Sequence, residues 1–293
     1  MQRLRFQELA DFVALGLVVV LAACSDANGP ANPSLSRAQA DSLALVVTAD
    51  IAALPEGATF DNAGGVPFAA PSSPLALPSG CTPTRSPNPP ANSDGDPIPD
   101  SVRVDFGGCS FTTPRGETVT LSGTIDLIDP TPVATDHAVR AVFTDLTRSV
   151  LSGSGATWSV EENGTRQFSG TASVLSHSMT GFQTVFTHPD GSTATHLKNW
   201  SATFTADVPG SISSSQPLPS GTWDVTGTST WTRGVRNWAL SVTTGPDLHY
   251  DASCTVAPKF DAGTLTAVVT RGDQTSTVTI ELTACGQYTV TRS

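Results

Sequence analysis

Charge is what this sequence most lacks. Charged residues make up 14% of its 293 positions, against about 25% in an ordinary globular chain. Lysine stands at only two of them, Lys198 and Lys259, and aromatic residues make up 6%. No basic run occurs, and the formal charge is -11 with a pI near 4.7. A nucleic-acid partner needs a cationic stripe to displace counterions from phosphates, so no such partner is expected. The shortage of Glu, Lys and Arg also argues against a coiled coil or a long helical bundle. Glycine and proline, 25 and 22 residues, fall short of the roughly 25–30% that marks a wholly disordered chain. Ser and Thr fill the gap, at roughly a quarter of the residues.

Long hydrophobic runs are also missing, with one short exception. Residues 12–21 are apolar, a run of 10 preceded by Arg3 and Arg5. A helix needs about 20 such residues to span a bilayer, so this run fits a signal peptide instead. It ends in Leu21-Ala22-Ala23-Cys24, which resembles the lipobox of bacterial lipoproteins. The resemblance implies that Cys24 is diacylated, that residues 1–23 are cut away, and that the new amine is acylated. Ser25, in place of Asp, implies sorting to the outer membrane rather than the inner one. The expected membrane partner is therefore a bilayer held through a lipid anchor, with residues 24–33 as a polar tether.

Four cysteines remain: Cys81, Cys109, Cys254 and Cys285. An even count in an exported chain favours two disulfides, with three connectivities open. The separations favour Cys81–Cys109 and Cys254–Cys285, each constraining the unfolded chain by about 3–4 kcal/mol in the loop-entropy model. Cys285 falls on the polar parity of its strand, so a bulge at Cys285-Gly286 is expected to repair the geometry. No Cys-x-x-Cys occurs to suggest zinc.

Residues 34–56 read as one helix, capped by Ser34 or Ser36, stopped by Pro55-Glu56-Gly57, with Leu35, Ala38, Leu45, Ala49 and Ala52 on its buried face. Residues 57–100 form a Pro-rich loop in which regular structure is not expected. From 101 to 293 apolar and Ser/Thr residues alternate. Trp200, Ala202, Phe204 and Ala206 interleave with Ser201, Thr203 and Thr205, and Val278, Ile280 and Leu282 repeat the pattern. Period two with a Thr/Ser outer face predicts antiparallel strands with one wet side. Turn signals at Asn163-Gly164, Asp190-Gly191, Arg233-Gly234 and Gly272-Asp273 predict hairpins, about 12 strands in all. The expected fold is mainly β: a hairpin meander, as a sandwich or curved sheet, with one N-terminal helix.

Chemistry is sparse. The chain has no Gly-x-Ser-x-Gly elbow, no His-Glu-x-x-His and no phosphate loop. The histidines are expected on loops and strand ends. Trp200, Trp223, Trp231 and Trp238 share parity with core residues, leaving Trp158 as the most exposed and the best stacking platform for a glycan. Residues 92–100 (Asn-Ser-Asp-Gly-Asp-Pro-Ile-Pro-Asp) resemble the Asp-rich calcium repeats of the thrombospondin type 3 kind. The resemblance implies calcium ligands at Asp94, Asp96 and Asp100. Pro97 stands where such loops carry Gly, and Arg103 where a distal acid would fall, so a plain acidic turn is the competing expectation. No other cofactor is expected. The functional expectation is a lipid-anchored envelope protein, a non-catalytic module that binds or scaffolds a protein or glycan partner. A transmembrane β-barrel and an enzyme with a dispersed site are the competing readings.

Overall fold

The computed structural model describes residues 35–57, 81–95, 98–132, 138–213, 216–234, 236–271 and 274–293. One helix, α1 (Arg37–Gly57), precedes β1 (Thr84–Ser86), β2 (Ser101–Asp105), β3 (Cys109–Thr112), β4 (Thr118–Ile128) and β5 (Val139–Leu151). Then come β6 (Thr157–Gly170), β7 (Val174–Thr187), β8 (Thr193–Ala206), β9 (Gly221–Arg233) and β10 (Arg236–Thr244). The series ends with β11 (Leu248–Tyr250), β12 (Phe260–Arg271), β13 (Gln274–Ala284) and β14 (Gln287–Arg292). The fourteen strands belong to one antiparallel sheet. Its order is β1-β2-β4-β5-β6-β7-β8-β9-β10-β12-β13-β14. Among the described residues, the observed fold is thus the mainly β meander with a single helix.

By internal contacts the chain divides into two compact units. Among the described residues, the helical unit comprises 35–57, 204–213, 216–226, 240–271 and 274–293, and the strand unit 81–95, 98–132, 138–203, 227–234 and 236–239.

In the helical unit, Ser36 and Gln39 form a reciprocal cap on α1. The Gln39 amide donates to Ser36 Oγ at 3.2 Å, and the Ser36 amide to Gln39 Oε1 at 2.9 Å. The helix packs on β13 and β14. Its buried stripe is Ala40, Leu43, Ala44, Val47, Ile51 and Leu54, the opposite side from the expected Ala38, Leu45, Ala49 and Ala52. Both sets recur at three- and four-residue steps, but the first carries more large side chains and so removes more apolar area from water. Helical geometry ends at Gly57, the last residue of the expected Pro55-Glu56-Gly57 stop. Leu35, two residues before the helix, is tied to the sheet: its amide donates to Ser276 Oγ at 3.3 Å, and Arg292 donates to its carbonyl. Phe204, Trp223, Leu248, Phe260, Leu265 and Ile280 are fully buried in this unit. A disulfide joins Cys254 to Cys285. Cys285-Gly286 is the tight turn between β13 and β14. The register shift falls one step earlier, between Leu282 and Ala284, so the bulge expected at Cys285-Gly286 is displaced into the strand.

In the strand unit a disulfide joins Cys81 to Cys109, with Cα atoms 4.9 Å apart. Strand β1 lies inside the stretch where prolines argue against regular structure. It fits between Pro83 and Pro87 and pairs with Arg103–Asp105. Strands β2 and β3 lie end to end along one edge of β4, pairing with its residues 124–128 and 118–121. Asn163-Gly164 is not a turn. It lies inside β6, where the pairings to both β5 and β7 shift register. These shifts are bulges with their spare amides satisfied across the ladder. The Asp145 amide donates to Asn163 Oδ1 at 2.8 Å, and the Gly181 amide to Asn199 Oδ1 at 2.7 Å, each 18 residues away. A bulge bends its strand and sharpens the local twist. At Gly123, with φ +91°, an added Cβ would stand 2.1 Å from the Asp145 carbonyl oxygen, so only glycine lets β4 approach β5 there.

Candidate functional site

Alternation in β7 and β8 carries polar groups onto the buried side of the sheet. Leu175, His177 and Met179 are buried in β7, and Ala194, His196, Lys198 and Trp200 in β8. The histidines expected on loops and strand ends are therefore, in two cases, core residues. His177 is 3% exposed and stacks on Phe168 with ring centroids 4.3 Å apart. Its Nδ1 is buried without a hydrogen-bond partner. Burial, then the positive charges of Arg166 and Lys198, push its pKa down to about 3, so the ring is neutral at pH 7.

Arg166 and Lys198 share one aromatic neighbour. The Arg166 guanidinium carbon lies 4.3 Å from the Phe182 ring centroid and 5.7 Å from that of Phe143. Lys198 Nζ lies 5.7 Å from the Phe182 centroid, and Lys198 is only 8% exposed. The two phenyl rings meet edge to face at 5.3 Å. Ring quadrupoles offset part of the cost of taking cations out of water. Arg148, stacked 5.1 Å over Trp158, is held below its usual pKa by burial, with Glu162 and Glu117 opposing that shift. Trp158 is half-buried, and the other four tryptophans are buried as their parity predicts. His196, Phe186 and Trp238 stack on Trp231 at 3.8, 6.1 and 5.9 Å, with interplanar angles of 13–15°.

A second cluster belongs to the helical unit. His249, on β11, has a carboxylate at each ring nitrogen: Asp261 Oδ1 is 2.6 Å from Nδ1 and Asp207 Oδ2 is 3.0 Å from Nε2. Both contacts are hydrogen bonds only when the ring carries both protons, so the imidazolium is favoured. The Asp261 bond, then the Asp207 bond, hold its pKa above the ordinary value despite desolvation. Nearby, Asp251 lies within 4.8 Å of the Cys254 and Cys285 sulfurs. Those sulfurs form a disulfide and offer no thiolate to a metal.

The Asp-rich loop is described in part. Both Asp100 oxygens accept from Ser93, from its amide at 2.7 Å and its hydroxyl at 2.6 Å. Asn92 Oδ1 accepts from the Gly95 amide at 2.8 Å. The two Ser93 bonds hold Asp100 below the usual carboxylate range. Asp94 belongs to the same loop, and Asp96 lies outside the described residues. Arg103 makes a bidentate pair with Asp126 on the neighbouring strand, at 2.7 and 2.8 Å. Cys24 and the rest of the signal also lie outside the described residues. No helix among the described residues is long and apolar enough to cross a membrane.

Arg166, His177, Phe182 and Lys198 were not among the residues singled out by motif. Carrying the Trp200 parity backward through Lys198 and His196 is the signal that places two buried polar groups on β8. Comparison with protein-family models, with curated proteins and with solved structures finds no match for this chain.

Proposed function

We propose that the chain is a lipid-anchored protein of the cell envelope, sorted to the outer membrane, whose β-rich part is a non-catalytic binding or scaffolding module. The observation that carries the reading is Leu21-Ala22-Ala23-Cys24, set directly after a 10-residue apolar run. Two disulfides support it, since such bonds persist in exported proteins and are rare in the cytosol. Binding is favoured over catalysis by how the polar groups are held. His177 and His196 are stacked on aromatic rings. The ring nitrogens of His249 face carboxylates rather than a nucleophile.

The test is Cys24→Ala, followed by labelling with a fatty acid. The wild-type chain is expected to incorporate label and to be cut before Cys24, and the variant to remain an unlabelled precursor. A variant that still takes up label would overturn the anchor. Turnover of a hydrolase or transferase substrate, abolished by a single His249→Ala change, would overturn the non-catalytic assignment.

A further inference from the structure

We propose that the outer edge of β14 is a self-association surface, where two copies of this chain pair antiparallel about a two-fold axis through Val290. The inference goes beyond the anchored binding-module reading and needs neither the lipid nor a ligand.

The hydrogen-bond phase of β14 leaves three residues facing outward. Ser293 and Thr277 exchange both backbone bonds, at 2.9 and 3.0 Å, and the register steps from there through Thr279↔Thr291 and Glu281↔Thr289. Antiparallel pairs alternate between bonded and non-bonded. The amides and carbonyls of Tyr288, Val290 and Arg292 therefore point away from β13. Strand β14 ends the sheet order, and among the described residues no backbone group bonds to these outward ones.

The two ends of the sheet order differ in how they are closed. At one end the edge is split between β1 and β3, of three and four residues. Pro83 and Pro87 flank β1, and the disulfide at Cys109 ties β3. Short, interrupted strands of this kind resist pairing with another chain. Strand β14 has six residues, no proline or lysine, and no register shift from Tyr288 onward.

Its sequence is self-complementary in one register. Pairing outward residues with outward residues sets Val290 against its own copy and Tyr288 against Arg292 of the second copy, each pair exchanging two hydrogen bonds. The apolar pair falls on the axis, and each guanidinium falls beside a tyrosine ring that attracts it. Arg292 is the strand's one charged residue, so no like charges stand opposite. With no acid in β14, the repulsion between two chains of net charge -11 is least at this edge. Tyr288 and Val290 stand opposite the buried Leu282 and Ile280 and are themselves half-buried. Opposite residues share a face, so the core layer thins at these two side chains. A second β14 alongside continues that layer and removes more apolar surface from water.

A strand of six residues makes a small interface, so a reversible dimer with a dissociation constant of about 10 μM is expected. Sedimentation velocity of the purified full chain reads it as monomer and dimer exchanging with concentration. Val290→Pro removes only an outward amide, so it should keep the β13 pairing and weaken the dimer about tenfold or more. Val290→Lys and Val290→Asp should each be monomeric, because each sets like charges across the axis, and mixing the two should restore a heterodimer. Cysteine cross-linking with copper phenanthroline reads the register. Val290→Cys should link to itself. Thr289→Cys should not, its two Cα atoms standing about 8 Å apart across the axis, beyond disulfide reach. Thr289→Cys mixed with Thr291→Cys should link, since the register sets those positions opposite.

A wild-type chain that stays monomeric at about 100 μM would overturn the proposal without any variant having to fold. A dimer left unchanged by Val290→Lys would place the contact elsewhere and overturn it too. Random collision links the exposed Thr289→Cys more readily than the half-buried Val290→Cys, so that order of cross-linking would refute the two-fold pairing.

Discussion

Two histidines divide the molecule's electrostatics between its units. His177, in the strand unit, is buried among cations and is held neutral, with its pKa pushed down to about 3. His249, in the helical unit, is clasped by Asp261 and Asp207, whose hydrogen bonds raise its pKa. One side chain type thus shifts in opposite directions, chiefly by burial at His177 and by carboxylate hydrogen bonds at His249, in a chain whose net charge is -11. Average charge says little about any one site here. What decides is which residues the sheet's parity turns inward and which the strand ends bring together.

The largest effect expected from this contrast is acid sensitivity of the strand unit. The unfolded His177 titrates near its ordinary value of 6.5, while the folded one binds a proton only near pH 3. A depressed folded pKa gives stability that is present above pH 6.5 and lost as pH falls through the window toward 3. The integrated contribution is about 4–5 kcal/mol across that window, taking 1.36 kcal/mol per unit. Urea unfolding at pH 7 and pH 4, compared between the wild type and His177→Leu, reads the difference. The variant should lose less stability on acidification. Equal losses would mean that the ring already carries a proton in the fold.

Next in size is the backbone where β4 meets β5 in the strand unit. Gly123→Ala places a Cβ 2.1 Å from the Asp145 carbonyl oxygen and is expected to cost about 2–3 kcal/mol. Gly116→Ala, at φ +82° with open space around it, keeps only the conformational penalty and should cost about 1 kcal/mol. Thermal unfolding of the two variants checks the order. Equal costs would show that the close strand approach at the bulge adds nothing.

The mainly β fold was legible because period two repeats over strand after strand, and a Thr/Ser face is hard to mistake once charge is scarce. The helix was legible as an element but not in its facing. Ala38, Leu45, Ala49 and Ala52 are as regularly spaced as Leu43, Val47, Ile51 and Leu54, and side-chain size settles the contact. Asn163-Gly164 misled for a related reason. A positive φ (here +127°) at Gly164 serves a bulge as well as it serves a turn. The 18-residue step through Asp145, Asn163, Gly181 and Asn199 was the available sign that this glycine belongs to a ladder of bulges. The cationic face was hidden because motif searches look for polar residues near one another in sequence. Arg166, His177 and Lys198 are brought together by three different strands. His249, Asp207 and Asp261 were hidden for the same reason, being 42 and 12 residues apart.

The smallest effects separate the two carboxylates on His249. Asp261 faces Nδ1 at 2.6 Å and is the first cause of the raised pKa; Asp207 faces Nε2 at 3.0 Å and comes after desolvation. Asp261→Asn should therefore lower the His249 pKa more than Asp207→Asn, and the double variant should lower it furthest. The raised pKa implies stability fully present below the unfolded value of 6.5 and lost as pH rises through the folded value, the reverse of His177. All three side chains are about a third exposed or more, so solvent screening keeps the contribution small. The direct readout is the His249 ring resonance followed by NMR from pH 5 to 9. In the wild type its midpoint should lie above 6.5, while the His177 resonance stays flat over the same range. If Asp207→Asn moved the midpoint further than Asp261→Asn, the Nε2 contact would be the stronger one. If neither moved it, the clasp would be a geometric neighbour of the ring without energetic hold on its proton.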